Sequence, residues 1–224
     1  MPEIAVPASR WAPGNVLPRL PGLLIGLALF GIGVALMAQS GLGLGPWEVF
    51  HQGISRHTGL PLGTVSMIVG VPVLALWWPI GERPGFGTIA NIACIGLATN
   101  LTLTVLSAAQ GIAAQLAYMA CGVVTVAVAS GLYLASDLGP GPRDGLMTGL
   151  HHRFGWSIRL ARTGIELTVL AVGFLLGGTI GLGTVVFALA IGPLVQVALC
   201  VFDREGRISR RRRAVIAAQG LDGD

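Results

Sequence analysis

The chain has no lysine and little charge of either sign: its basic residues are 14 arginines against 10 acids, and only 11% of its 224 residues are charged. A soluble domain carries about a quarter, so this shortage of polar surface excludes a soluble globular fold. Because the arginines occur in tails and core alike, the missing lysine reads as a compositional habit of the genome. Cysteine is scarce too. Cys94, Cys121 and Cys200 lie far apart in apolar stretches, which excludes a disulfide framework or a cysteine metal knot and leaves small packing residues. No nucleophile, base and orienting group can be assembled, so the chain does not read as an enzyme. The glycine runs do not continue as Gly-Lys-Ser/Thr and follow no strand, which excludes a phosphate loop. His51, His57, His151 and His152 lack metal-ligand spacing to a carboxylate or cysteine, and no cofactor is implied. What the chain has in abundance is apolar residues, 53%, with a mean hydropathy of +0.77. These are the proportions of a membrane protein.

Six apolar segments approach the roughly 20 residues that a helix needs to cross the hydrocarbon core. They fall near 20–40, 62–80, 86–106, 114–136, 157–177 and 182–202. The first is too long for a typical secretory signal and ends in a pattern that returns at 127–136, so it is read as a crossing. Six crossings put both termini on one side. Arg204, Arg207 and Arg210 to Arg213 assign that side to the cytoplasm, and Arg10, Arg19, Arg83, Arg143, Arg153 and Arg159 fall with them, against Arg56 alone in the opposite loops. The expected arrangement is a multi-pass membrane protein with both termini in the cytoplasm. The arginine tail reads as a topology anchor on anionic lipid head groups in preference to a nucleic-acid or partner site.

A repeat organises these segments. Residues 31–97 lie without a gap over 127–193 at a constant offset of 96, which pairs Gly43, Gly45 and Pro46 with Gly139, Gly141 and Pro142, Glu48 with Asp144, and Gly87-Thr88 with Gly183-Thr184. Each copy holds three crossings, an odd number, so the second enters the membrane from the opposite side. The fold class expected is therefore an all-α polytopic membrane protein of six transmembrane helices in two inverted three-helix repeats with short broken or re-entrant helices. The divisions are a cytoplasmic tail over 1–19, repeats over 20–106 and 107–202, and an Arg-rich cytoplasmic tail over 203–224. Inverted repeats recur in secondary transporters, whose sites lie where the units meet.

Two constellations carry the candidate chemistry. In each repeat, glycines break the chain after the first helix and a proline restarts it: Gly45-Pro46-Trp47-Glu48 in one copy, Gly141-Pro142-Arg143-Asp144 in the other. From Pro46, a short helix gathers Trp47, Phe50 and Ile54 on one side and Glu48, Gln52 and Ser55 away from it, a pattern for an interfacial or shallow re-entrant segment. Such broken helices offer unpaired N–H groups to an anion, unless Glu48 and Asp144 cap those groups themselves and leave the site neutral or suited to a cation or proton. They read equally as plain capped turns or as groups gating two entrances. The second constellation is Arg159, Arg162 and Glu166, on one face of the fifth crossing with Glu166 about mid-membrane. Their counterparts in the first copy include Ser66 and Gly70, so the shared fold did not impose these charges. They read as a solute or proton site, or as a structural ion pair. Asn91, Asn100, Thr88, Thr184 and Gln196 read as hydrogen-bonding links between helices.

Gly-Leu-Gly-Pro-Trp-Glu-Val-Phe at 43–50, Trp-Trp-Pro-Ile-Gly-Glu-Arg-Pro at 77–84 with Gly87-Thr88, and Leu-Gly-Pro-Gly-Pro-Arg-Asp-Gly-Leu-Met at 138–147 resemble the YczE/YyaS/YitT family of bacterial integral membrane proteins. The resemblance spans roughly residues 22 to 202, and Glu48 departs from it where aspartate is more usual. It implies a polytopic inner-membrane protein and assigns no substrate. The reading reached is a transporter or permease for a small solute, with Glu166 and Arg162 as the central polar site. The alternative is a non-transporting accessory factor that supports secretion or biosynthesis, which should seal Glu166 and Arg162 dry against each other.

Overall fold

The structure is a computed structural model that describes residues 16–203 and residue 206; the tail arginines Arg10, Arg204, Arg207 and Arg210 to Arg213 lie outside these residues. After a 3-10 turn at Leu17–Arg19, the described chain is helical: α1 Leu20–Ser40, α2 Pro46–Thr58, α3 Leu62–Ala75, α4 Trp77–Ile80, α5 Phe86–Val105, α6 Gly111–Ala135, α7 Pro142–Phe154, α8 Ile158–Leu175 and α9 Leu182–Phe202. A helix satisfies its own backbone, which is what hydrocarbon demands of an apolar chain. Among the described residues, five stretches are long and apolar enough to cross a membrane: Leu17–Ser40, Leu62–Ile80, Phe86–Val105, Gly111–Ala135 and Leu182–Phe202. The expected fifth crossing, α8, has 18 residues and falls outside this set because it carries Arg159, Arg162 and Glu166.

The centre of the molecule is α1 packed along α6. Small residues let the backbones approach: a Cβ on Gly26 would lie 2.8 Å from Tyr133 N, and one on Gly33 2.9 Å from Gly122 O. Residue numbers rise along α1 as they fall along α6, so the two helices are antiparallel. Next, α5 packs on α1, where Thr99 Oγ1 donates to Gly31 O at 3.2 Å, and α9 packs on α6 beside Gly131.

Local geometry repeats at the offset of 96. The broken helices α2 and α7 start at Pro46 and Pro142 and end before Gly59 and Gly155. Their entry loops turn at Gly43 (φ 112°) and Gly139 (φ 124°), a backbone region that costs a residue with a Cβ. Each loop then docks on the other half of the chain: Gly183 N donates to Leu42 O at 2.7 Å, and Gly87 N to Leu138 O at 2.8 Å. Thr88 fastens the second of these by donating to Pro140 O at 2.8 Å. The far ends of the broken helices also cross over. Arg56 donates to Gly177 O and to Thr179 Oγ1, while His152 meets Glu82 at 3.1 Å.

One relation does not repeat. Helix α3 packs along α5, where Gly63 N donates to Asn100 Oδ1 at 2.8 Å and Asn100 Nδ2 to Thr64 at 2.9 Å. Helix α8 packs on α2 and α7 and has no comparable contact with α9. At the offset positions Arg159 replaces Gly63, whose missing Cβ is what lets α3 approach Gly96 O, and Gln196 replaces Asn100.

Candidate functional site

A cavity of about 320 Å³ lies between the two copies. Both chain breaks dip toward it. A Cβ on Gly45 would lie 3.0 Å from the Phe187 ring, and one on Gly141 3.2 Å from Asn91 Nδ2, each of these neighbours being more than a turn inside its helix. The N-terminal turns of α2 and α7 therefore approach the cavity from two sides. The two Gly-Pro motifs thus border one shared cavity.

The charges are brought together in pairs. Arg143 Nη1 of α7 donates to Glu48 Oε1 of α2 at 2.7 Å, and its guanidinium stacks 4.9 Å from the centre of the Trp47 ring. Glu48 is 6% exposed; of the polar side expected of α2 it alone is buried, Gln52 and Ser55 being half-buried, and its counter-ion is supplied by the other copy. Asp144 accepts from Tyr133 OH at 2.5 Å. The two acids are thus spent on side chains across the site rather than on capping the helix that bears them. Arg162 Nε donates to Glu166 Oε1 at 2.9 Å along α8, with both side chains partly open and both lining the cavity. Arg159, one turn earlier, is exposed and outside the lining, so the expected triad divides into a pair inside and one residue outside. Arg143 also leaves the tally of loop arginines, since it is held within the protein.

Gly45 and Gly141 are needed for space: a Cβ on Gly45 would lie 2.7 Å from Glu48 Oε2, and one on Gly141 3.2 Å from Asp144 Oδ2. Pro46 and Pro142 begin the two helices at the cavity wall, and Pro142 O accepts from Trp77 Nε1 at 2.9 Å. Two lining groups were missed in the sequence. His51 sits one turn after Trp47 and is 2% exposed; burial first, and the Arg143 cation second, hold its imidazole well below the usual pKa. The spacing to Trp47 and Glu48 was the available signal. Tyr133 belongs to an apolar span, and only tertiary folding places it on Asp144. Among the described residues, Trp47 Nε1 is the one buried side-chain polar atom without a hydrogen-bond partner. The remaining wall is mostly apolar, with Phe30, Ile95, Phe187 and Ile191, and adds the polar side chains of Ser66, Asn91, Ser130 and Gln196.

These features define an all-helical integral membrane protein with a charged internal cavity. Residues 17–199 match the family of unknown function DUF6198, and the chain belongs to it. It is 37% identical over 203 residues to an uncharacterized protein of Haemophilus influenzae, a match covering 89% of this chain and 93% of that one. Two Bacillus subtilis relatives are the uncharacterized membrane protein YczE, 31% identical over 78% of this chain and 82% of its own, and the uncharacterized protein YyaS, 24% identical over 84% and 96%. The resemblance read from the motifs at 43–50, 77–84 and 138–147 is therefore to true relatives. No solved structure matches the chain.

Proposed function

We propose that the protein is a transporter or permease for a small solute, built from two inverted three-helix repeats in the bacterial cytoplasmic membrane with both termini inside. The observation that carries this reading is the cavity itself: both broken helices border it, and Glu166 and Arg162 face it. Charge held at such a depth is costly and marks solute or ion pathways, and a cavity of this size is at the small end of ligand sites. The inverted arrangement is supported by the shared register of α2 with α7 and by the antiparallel α1 and α6, with α8 as the sixth crossing. Its Arg162 and Glu166 pair with each other and face the cavity, and Arg159 is exposed near the start of the helix. The parting of α8 from α9, beside the closed α3–α5 contact, supplies a flank by which the cavity is reached. A pure scaffold has no use for a lined cavity here, and the reading contains no catalytic step.

The test is uptake of a mixed pool of radiolabelled metabolites into proteoliposomes containing the full chain. At least one solute should accumulate above protein-free vesicles, and Glu166→Gln should lower that uptake by roughly tenfold or more, the loss of about 1.4 kcal/mol of interaction. No uptake above the control, or uptake indifferent to Glu166→Gln, would overturn the reading.

A further inference from the structure

Comparing the two copies within the cavity identifies an acid that the fold treats unequally. At the offset of 96, Arg143 corresponds to Trp47, and Glu48 to Asp144. Arg143 crosses from its own copy to neutralise Glu48 of the other at 2.7 Å. The reciprocal crossing would run from position 47 to Asp144, but position 47 is tryptophan and brings no charge. Asp144 accordingly has Tyr133 OH at 2.5 Å and, among the described residues, no basic side chain within ion-pair distance. The cavity lining as a whole carries the carboxylates of Glu48, Asp144 and Glu166 against the guanidinium groups of Arg143 and Arg162, and both guanidinium groups are engaged. One carboxylate is in excess. In the same lining, Trp47 holds the unpartnered buried N–H, a donor whose desolvation is costly until an acceptor meets it.

We infer that the cavity binds a small organic monocation: an ammonium group paired to Asp144, a nearby hydroxyl or carbonyl oxygen accepting from Trp47 Nε1, and an apolar body against Phe30, Ile95 and Phe187. This rests on the cavity being the solute site of the transport reading, and it fixes the class of solute. Tyr133 is the positioning residue, since its hydroxyl holds one oxygen of Asp144 and leaves the other for the ligand. The ammonium stands in the charge relation to Asp144 that Arg143 has to Glu48, and so balances the excess carboxylate. An anion would meet that carboxylate with no free cation to offset it.

Three probes of one shape separate the alternatives at neutral pH: phenylalaninol, a cation with a hydroxyl; hydrocinnamyl alcohol, its neutral analogue without the amine; and hydrocinnamate, an anion. Equilibrium dialysis of the detergent-solubilised full chain should show phenylalaninol bound at least tenfold more tightly than either of the others, the scale of one desolvated charge pair. Asp144→Asn should abolish that preference, Asp144→Glu should restore it, and Trp47→Phe should weaken phenylalaninol by roughly fivefold, the effect of one hydrogen bond. Equal or tighter binding of hydrocinnamate, phenylalaninol binding unchanged in Asp144→Asn, or no binding of any probe to the wild-type chain overturns the inference. Uptake measured in parallel keeps it distinct from transport. Phenylalaninol bound but not moved sustains the cation site and counts against the transporter. Uptake of an anionic solute without amine binding leaves the transporter standing and removes the cation site.

Discussion

The cross-copy pair Arg143–Glu48 shows at the scale of the residue why the polar positions of this chain are hard to place from its sequence. The two partners are 95 positions apart. Helical spacing on α2 alone assigns Glu48 to an outward face, and nothing local announces that α7 will bring a cation to it. The identity of the acids at 48 and 144 was legible from the repeat, whereas their partners depend on how the two copies interlock. Removing one member of a buried pair strands the other. Glu48→Gln should therefore lower stability by about 1–3 kcal/mol, and Glu48→Gln combined with Arg143→Gln should cost less than the sum of the singles by ~1 kcal/mol or more. Thermal melts of the four proteins in one detergent measure that coupling, and additive effects would refute it. His51 gives a pH signature from the same site. Its imidazole is held neutral in the fold, with its pKa well below the usual value, whereas an unfolded histidine takes up a proton near 6.5. Between the two pKa values the unfolded state binds more protons, so stability is lost as pH falls below about 6.5 and is fully present above it. The melting temperature of His51→Gln should decline less than that of the wild type over this acid range; parallel declines would remove His51 as the cause.

Among the helices, glycine and proline made the broken elements readable, since both α2 and α7 begin at the proline that the repeat had marked and stop before Gly59 and Gly155, themselves 96 positions apart. The second crossing was legible only as one apolar run, because the sequence of apolar residues continues past the point where the helix breaks. Pro72 lies inside α3, which closes at Ala75 before the short α4 carries the span on. The unequal packing of the two copies was not legible at all as a gap between helices, although its cause is visible as Gly63 against Arg159. Space around corresponding glycines now makes a paired prediction. A Cβ on Gly63 would fall inside contact distance of Gly96 O, whereas one on Gly192, the counterpart of Gly96, meets nothing within 4 Å. Gly63→Ala should destabilise by roughly 1–3 kcal/mol through overpacking, and Gly192→Ala should stay within about 0.5 kcal/mol of the wild type. A comparable loss in both variants would show that α8 and α9 are packed together after all. Gly145 belongs with Gly63, because its Cβ would enter the Trp77 ring, the ring that anchors α7 through Pro142 O.

Across the whole molecule, the proposed inversion rests on two points of different origin: a register of 96 residues between the copies, and the three spans, an odd number, that separate residues such as 58 and 154. Together they require that corresponding residues face opposite sides of the membrane, and the arginine distribution then assigns the sides. Thr58 and Phe154 are corresponding residues, both exposed at the ends of the broken helices α2 and α7. Thr58 follows Arg56, and Phe154 follows Arg153, so the reading places Thr58 outside and Phe154 in the cytoplasm. In a chain whose Cys94, Cys121 and Cys200 are replaced by alanine, Thr58→Cys should react with a membrane-impermeant maleimide in right-side-out vesicles, and Phe154→Cys only in inverted ones. A reversed pattern would keep the inversion and turn the protein over, moving the arginine-rich side outward. Labelling of both residues from the same side would mean that one of the three spans between them, Leu62–Ile80, Phe86–Val105 or Gly111–Ala135, does not cross, that the copies are parallel, and that the shared cavity opens by some route other than an exchange between two equivalent halves.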